Sequence, residues 1–248
     1  FGAVNPSGKL PFTFPVRLED NSAHALGEYK LRKYLHERVK RPTSEYEDEE
    51  MEANTDIYAE FIISTVERIK ETCPHPLVMV EERLDYSYLV PQGFSTGDCV
   101  IIADGTLYVM DYKNGKGVFV NCDHNPQMML YALGAYHAYG YLYNIKRVSM
   151  TIIQPRLENI STYECSMEEL LDWAETYVRP RAKLAFEGKG EQIPGDWCRF
   201  CRARTSCKAC AEEALALVKE EFLDLDEGVL TDEAEETDAT AAYNPDTS

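Results

Sequence analysis

The chain has 248 residues, 44% of them apolar and 27% charged, which is enough for one sizeable α/β domain with appendages. Its formal net charge of −18 argues against a protein that coats nucleic acid nonspecifically. It contains no run of about 18 apolar residues, so we expect no membrane span.

The first part of the chain predicts an extended lead, two helices and a strand. Residues 1–21 are rich in Pro and Gly and show no helical period. A helix is expected from residue 22 to about residue 36, and a second over residues 55–72, where apolar side chains recur at helical spacing. The segment 77–88 then predicts a strand.

The second part predicts a crossover helix, a strand and a long helix. Asn125-Pro126 favours a helix start, and the helix is expected to continue to about Tyr139. Residues 147–153 are β-rich, and Ser166 begins a pattern similar to a capping box, which predicts a helix to about Phe186.

Together these elements predict an α/β fold with a mixed sheet flanked by helices, because a helical crossover joins parallel strands. The expected organisation is a lead (1–21), a core (22–195), a cysteine-cluster segment with a short helix (196–220) and an acidic, disordered tail (221–248).

Residues 97–113 are the most informative stretch, since two apolar runs there are joined by Asp104-Gly105, the strongest short signal for a β-hairpin. If these two residues form the loop, pairing outward along the strands places Asp98 directly opposite Asp111. Two carboxylates about 5 Å apart repel each other unless a positive charge lies near them.

Lys113 follows Asp111 by two residues and is expected on the same face. Two acids and a lysine on one face can hold a divalent ion such as Mg²⁺ or Mn²⁺ and position a water for phosphodiester hydrolysis. Taken alone, the triplet Asp111-Tyr112-Lys113 is more typical of a solvated strand end than of a catalytic site.

Other polar residues are candidates for supporting the same site. Gln127 and Tyr131 are four residues apart on one helix face, where they either flank the site and touch DNA or serve as a helix-start residue and a core residue. Glu81 and Glu82 lie on the preceding strand, and the pattern does not decide which of them faces the acids. We take Glu81 as the supporting candidate. His24, alone, is more typical of an ordinary surface or core residue.

Four of the eight cysteines lie within thirteen positions, in the pattern Cys-x2-Cys-x5-Cys-x2-Cys. Such density in a chain with a full apolar core favours a metal site over a disulfide framework, and therefore a reducing, cytoplasmic setting. Thiolates select either an iron–sulfur cluster or zinc. The candidate ligands are Cys198, Cys201, Cys207 and Cys210.

Taken together, these motifs resemble the RecB-like branch of the PD-(D/E)XK nucleases, and among them phage and prophage members related to the CRISPR-associated RecB-like exonucleases. The resemblance covers residues 22–217. It implies a restriction-endonuclease-like core and a metal-dependent deoxyribonuclease that acts on DNA ends or single strands. Phage recombination or replication proteins are the implied partners.

The resemblance also implies roles for individual residues. His24, Asp98 and Asp111 would bind Mg²⁺ or Mn²⁺, and Lys113 would be catalytic. Gln127 and Tyr131 would lie by the DNA. The implied 4Fe–4S cluster takes three cysteines from the C-terminal group and one from upstream of the first helix, where this chain has none. Cys210 is the candidate substitute. A non-catalytic DNA-binding phage protein with the same fold is the alternative.

Residues 1–27 instead resemble a segment of family-three glycoside hydrolases. This predicts a chimeric lead joined to the domain near residue 27. The segment carries no pair of catalytic carboxylates, so a glycosidase is the weakest of the three functional interpretations.

Overall fold

In the computed structural model, residues 18–195, 197–198 and 201–228 are described. The predicted lead before residue 18 and the tail after residue 228 lie outside these residues. The described chain forms two compact units, one ending at Gly190 and the other beginning at Glu191. Within the described ranges, no helix combines the length and the apolarity needed to cross a bilayer.

The first unit is an α/β domain built on a five-stranded mixed sheet, as the sequence predicts. The strands lie side by side in chain order. The third and fourth pair in parallel, and the other neighbours are antiparallel. The strands are β1 (Leu77–Asp85), β2 (Phe94–Ala103), β3 (Thr106–Tyr112), β4 (Arg147–Gln154) and β5 (Asn159–Ser166).

Helices cover both faces of this sheet. On one face α1 and α2 pack over a core that includes Leu26, Ile62 and Ile101. On the other face α3 and α4 pack over a core that includes Val100, Leu133 and Met150. The helices of this unit are α1 (Leu18–Tyr34), α2 (Glu49–Lys70), α3 (Pro126–Tyr139), α4 (Met167–Trp173) and α5 (Arg179–Phe186).

The hairpin between β2 and β3 has the predicted register. Ala103 pairs with Thr106, and the ladder continues outward to Cys99 opposite Met110. Gly105 occupies the turn with a positive φ of 70°, a conformation that costs glycine little. The turn chemistry therefore fixes which residues face each other at the open end.

Two helices begin earlier than predicted. The first starts at Leu18, inside the predicted lead. The second starts at Glu49 rather than near residue 55, because Asp48 caps it by accepting the backbone N–H of Met51. The acidic side chains of its first turn are favourable at a helix N-terminus.

The edge strand β5 was missed, although Ile160, Thr162 and Tyr163 are typical strand residues. The long helix predicted from Ser166 is present, with a reciprocal capping box between Ser166 and Glu169. A π-helical turn over Ala174–Val178 joins its two α-helical parts.

The second unit contains the cysteine segment and α6 (Lys208–Gly228). This helix extends past residue 220, where disorder was expected. The sequence 208–228 is dominated by Ala, Leu, Glu and Lys, all strong helix formers, and this outweighs the acidic composition.

Candidate active site

The two predicted acids lie at the open end of the β2–β3 hairpin, one position beyond the last paired residues. Asp98 is 8% exposed and Asp111 only 3% exposed. Asp98 Oδ2 accepts a hydrogen bond of 2.6 Å from the backbone N–H of Tyr112. The carboxylate thus continues the hydrogen bonding where the strand ladder stops, and this contact fixes its position.

Asp111 holds a buried oxygen that lacks a hydrogen-bond donor. Among the buried side-chain oxygens and nitrogens of the described residues, Asp111 Oδ2 is the one without a hydrogen-bond donor. Lys113 Nζ lies 2.7 Å away and forms an ion pair with this oxygen, which has no second polar partner among the described residues. A buried carboxylate oxygen in this state can still accept a cation.

The acid pair is electrostatically unfavourable by itself. Burial and then repulsion from Asp111 raise the pKa of Asp98, and the nearby His24 and the N–H of Tyr112 lower it by less. A raised pKa means that the folded protein disfavours the charged form of this carboxyl. Additional positive charge near the pair would therefore be favourable.

Lys113 remains a cation at this site. Burial lowers the pKa of Lys113, but the charge and close contact of Asp111, together with the charges of Tyr131 and Asp98, outweigh burial, so the pKa lies above its usual value. The ammonium form suits a group that orients a water or donates to a phosphate oxygen. It does not suit a group that removes a proton from water.

Helix α3 brings Gln127 and Tyr131 to the lysine. Its N-terminus is fixed by Asn125, whose side chain accepts the backbone N–H groups of Gln127 and Met128. Gln127 Oε1 lies 3.4 Å from Lys113 Nζ, and Gln127 Nε2 donates to the Tyr131 hydroxyl at 2.6 Å. The Tyr131 ring belongs to the core, as one of the two interpretations of the sequence predicts, and its hydroxyl contacts Gln127.

His24 reaches the acids from α1 on the opposite face of the sheet. Its Nε2 lies 2.9 Å from the Tyr112 carbonyl oxygen and 3.7 Å from Asp98 Oδ2. Gly27 allows α1 to approach α2 closely, because a Cβ at this position would lie 3.0 Å from the Tyr58 ring. The close packing of these two helices holds His24 over the end of β3.

Glu81, on β1, is the third acid of the site. The pairs on either side of it, Val80 with Cys99 and Glu82 with Gly97, place Glu81 opposite Asp98. Burial, followed by the charge of Asp98, raises the pKa of Glu81 to about 7. The charge of the site is therefore sensitive to pH near neutrality.

The backbone at Glu81 is left-handed, with a φ of 55°, which is rare for a residue other than glycine. It interrupts the alternation of β1: Val80 packs with the α1–α2 layer, whereas Leu84 packs under α3. Glu82 consequently turns toward α3, and its Oε1 accepts the Tyr139 hydroxyl at 2.6 Å. Glu81, not Glu82, is thus the glutamate that lies with the acid pair.

The cysteine cluster lies entirely in the second unit. A contact with Cys198, then burial and a contact with Cys207, raise the pKa of the Cys210 thiol to about 12. Cys207 precedes α6 and accepts backbone N–H groups of Cys210 and Ala209, which lower its pKa. Cys210 therefore contacts two of the other predicted thiols, Cys198 and Cys207. All eight cysteines, each within the described ranges, are free thiols.

In the described part of the chain, no three His, Cys, Asp or Glu side chains converge closely enough to form a complete metal-binding group. In the first unit, Lys113 is the cation that contacts Asp111. The candidate residues of that unit are nevertheless gathered around one strand end: His24, Glu81, Asp98, Asp111, Lys113, Gln127 and Tyr131.

Sequence patterns did not identify several residues that lie next to the site. Gln154, at the end of β4, is buried and bonds three backbone groups of the segment that follows Lys113. Arg156 donates to the Asn114 carbonyl and pairs with Glu50. These contacts span 34 to 106 residues, and no local pattern in the sequence signals them.

Two comparisons with known proteins give a match. A solved structure titled "Crystal structure of SSO0001" is 13% identical in sequence; the match covers 79% of this chain and 98% of that chain, with a TM-score of 0.30. A similarity this loose carries no argument about function. The family model described as "Protein of unknown function (DUF2800)" matches residues 18–242. The chain therefore belongs to the DUF2800 family.

Proposed function

We propose that this protein is a divalent-metal-dependent deoxyribonuclease of phage or prophage DNA metabolism that acts on DNA ends or single strands. The observation that carries the proposal is the buried acid pair. Among the described residues, Asp111 Oδ2 has no polar partner besides the Lys113 ammonium, and Asp98 beside it has a raised pKa. Oxygen ligands that repel each other in a buried position suit a hard divalent cation.

The carboxylates of Asp98 and Asp111 fit Mg²⁺ or Mn²⁺ and would hold the ion, and His24 would join them if its Nε2 exchanged the Tyr112 carbonyl for the metal. When bound, such an ion supplies Lewis-acid stabilisation of the phosphodiester transition state. Glu81 adds a third carboxyl to the same strand end, and the contact between His24 and the Tyr112 carbonyl holds the imidazole next to Asp98.

Lys113 would act through its positive charge. Its ammonium group lies between Asp111 and Gln127 and can donate to a phosphate oxygen or orient the attacking water. The Tyr131 hydroxyl accepts from Gln127, which keeps the amide oxygen of Gln127 directed at Lys113. Gln127 and Tyr131 are therefore positioning residues for the lysine and candidates for contact with the DNA.

The test compares the wild-type protein with Asp111→Ala and Lys113→Ala on linear duplex, single-stranded and circular DNA, with Mg²⁺ or Mn²⁺. We expect both variants to lose cleavage. Asp104→Asn is the matched control, because it removes a carboxylate at the opposite end of the same hairpin, where Asp104 bonds Thr72. Equal cleavage by all variants would reject the site.

DNA binding without cleavage by any variant, the wild type included, would instead favour a non-catalytic DNA-binding protein with the same fold. Binding is measured with the same substrates in the presence and absence of EDTA. This outcome separates the two functions because the acid pair is needed only for hydrolysis.

For the second unit we propose a thiolate metal site, either a 4Fe–4S cluster or zinc. The contacts of Cys210 with Cys198 and with Cys207 and the lowered pKa of Cys207 support it. Metal analysis and the visible absorption spectrum of anaerobically purified protein distinguish the two metals. Metal-free protein after anaerobic purification in the presence of iron or zinc would reject both.

A further inference from the structure

The segment that follows the proposed catalytic lysine presents an aromatic side chain to solvent. Phe119 is 62% exposed, whereas Val118 and Val120 on either side of it are half-buried. The alternation continues along the segment, since Asn121 is exposed and Cys122 is fully buried. Phe119 thus lies on the outer side of a segment whose inner side packs on the domain.

Buried amides hold this segment in one conformation. Gln154 Oε1 accepts the Val120 N–H at 3.2 Å, and Gln154 Nε2 donates to the carbonyls of Gly115 and Val118 at 3.1 and 2.8 Å. Asn159 Nδ2 donates to the Val120 carbonyl at 2.8 Å. The backbone on both sides of Phe119 is therefore fixed by side chains that are themselves buried.

The same contacts locate Phe119 near the acid pair. Gln154 follows Ile153, which pairs with Tyr112 and accepts the Lys113 N–H at 2.9 Å. Neighbouring strands lie about 5 Å apart and residues along a strand about 3.3 Å apart, so Gln154 lies roughly 8 Å from Asp111, and its contact with Val120 puts Phe119 within roughly 20 Å of Asp111. This separation is short enough for one nucleic acid strand to reach both.

We propose that Phe119 is a stacking platform for an unpaired base of the DNA strand held at the acid pair, an inference that rests on the proposed nuclease function. An aromatic ring on a fixed backbone can stack on any base without reading its sequence. Bases of a continuous duplex are stacked inside the helix and do not present a free face. The structure therefore assigns single-stranded DNA, including frayed ends, as the substrate class.

Charges along the segment are compatible with a strand that carries phosphates. Lys116 is exposed and lies three residues from both Lys113 and Phe119. Its ammonium group forms an ion pair with Glu50 at 2.8 Å, and Arg156 contacts the same carboxylate. Lys116 and Arg156 thus share the carboxylate of Glu50, and Lys116 lies on the same segment as Phe119.

The experiment measures binding of fluorescent oligonucleotides by anisotropy, with the full chain in an Asp111→Asn background that keeps the DNA intact. The variants are Phe119→Ala and Phe119→Trp. Tyr141→Ala is the matched control, because Tyr141 is an 81% exposed aromatic that follows α3. Each protein is titrated with a normal single strand, with an abasic strand of equal length and with a covalently closed duplex.

We expect Phe119→Ala to weaken single-strand binding about fivefold or more, the usual loss for one stacked base. Phe119→Trp should retain binding, and its added indole fluorescence should be quenched by the normal strand. The abasic strand and the closed duplex should bind equally well to the parent and to Phe119→Ala. Tyr141→Ala should bind the normal strand like the parent.

The proposal is overturned if Phe119→Ala binds the normal strand as tightly as the parent, or if it weakens normal and abasic strands equally. Absence of oligonucleotide binding in every variant overturns both the platform and a DNA substrate. If Phe119→Ala loses stacking while Asp111→Ala still cleaves DNA, the platform is retained and the proposed catalytic site is rejected.

Discussion

Replacing Asp98 with Asn should stabilise the metal-free protein while it abolishes the proposed activity. Asn has nearly the same shape as Asp, and its Oδ1 can still accept the Tyr112 N–H, which Asp98 accepts at 2.6 Å. The substitution removes one of two buried like charges, whose repulsion contributes to the raised pKa of Asp98. The hydrogen bond therefore remains and the repulsion is relieved.

The size of the effect follows from the hairpin geometry. Opposed residues have Cβ atoms about 5 Å apart, and two unit charges at about 5 Å repel by about 3 kcal/mol at an effective dielectric constant of about 20. Lys113, 2.7 Å from Asp111 Oδ2, and His24, 3.7 Å from Asp98 Oδ2, offset part of this. We expect a net gain of about 1–2 kcal/mol, or about 2–8 °C in Tm.

The gain should depend on pH with a definite sign. Because the pKa of Asp98 is raised in the folded state, the folded wild type binds more protons than the unfolded chain at mildly acidic pH. Its stability therefore falls as the pH rises through that pKa. Asp98→Asn lacks this loss, so the two proteins should be similar near pH 4 and differ most near pH 8.

The assay is chemical denaturation at several pH values in EDTA, followed by thermal unfolding with added Mg²⁺ or Mn²⁺. The wild type should be stabilised by the metal and Asp98→Asn should not. Asp104→Asn, at the opposite end of the hairpin, is the control and should change neither result. A destabilised Asp98→Asn protein at pH 8 that still responds to metal would refute the reasoning.

Three further substitutions probe other parts of the structure. Glu81→Gln should raise the free energy of unfolding, measured by denaturant titration, by about 1–3 kcal/mol at pH 8, because burial raises the pKa of Glu81 to about 7. The free energy of unfolding of the wild type should decline between about pH 4.5 and 7, and the substitution should flatten this decline. Gly134→Ala should lower stability by about 1–3 kcal/mol in the same assay, since the new Cβ would lie 2.9 Å from Leu84 Cβ and 3.3 Å from its backbone carbon. Cys210→Ser should reduce the metal content of purified protein, whereas Cys73→Ser, in the first unit, should leave it unchanged.

The part of the site that depends on local chemistry was predictable from the sequence. Asp104-Gly105 determines the turn, the turn determines the register, and the register brings Asp98 and Asp111 to the same strand end. Gln127 and Tyr131 followed from helical spacing on α3. These inferences needed only contacts between residues close together in the chain.

Other parts of the site depend on long-range packing. The left-handed backbone at Glu81 follows no propensity rule, since an acidic residue in a β-rich segment predicts ordinary extended geometry. The contacts of Gln154 with the segment after Lys113 join residues 34 to 39 positions apart. Edge strand β5 was missed because its exposed face gives it a weak apolar pattern.

The spacing of the site residues along the chain also sets an order in which the site forms during folding. The Asp98 contact with Tyr112 spans 14 residues, whereas the His24 contact with Tyr112 spans 88. Local hairpins form within microseconds, and contacts between distant segments form more slowly because loop closure costs more entropy. The two like charges therefore come together early, before α1 delivers His24 and before β3 pairs with β4. We therefore expect protonation of either acid to increase the folding rate. The same repulsion that favours a bound cation in the native state would lower the rate at which the hairpin forms.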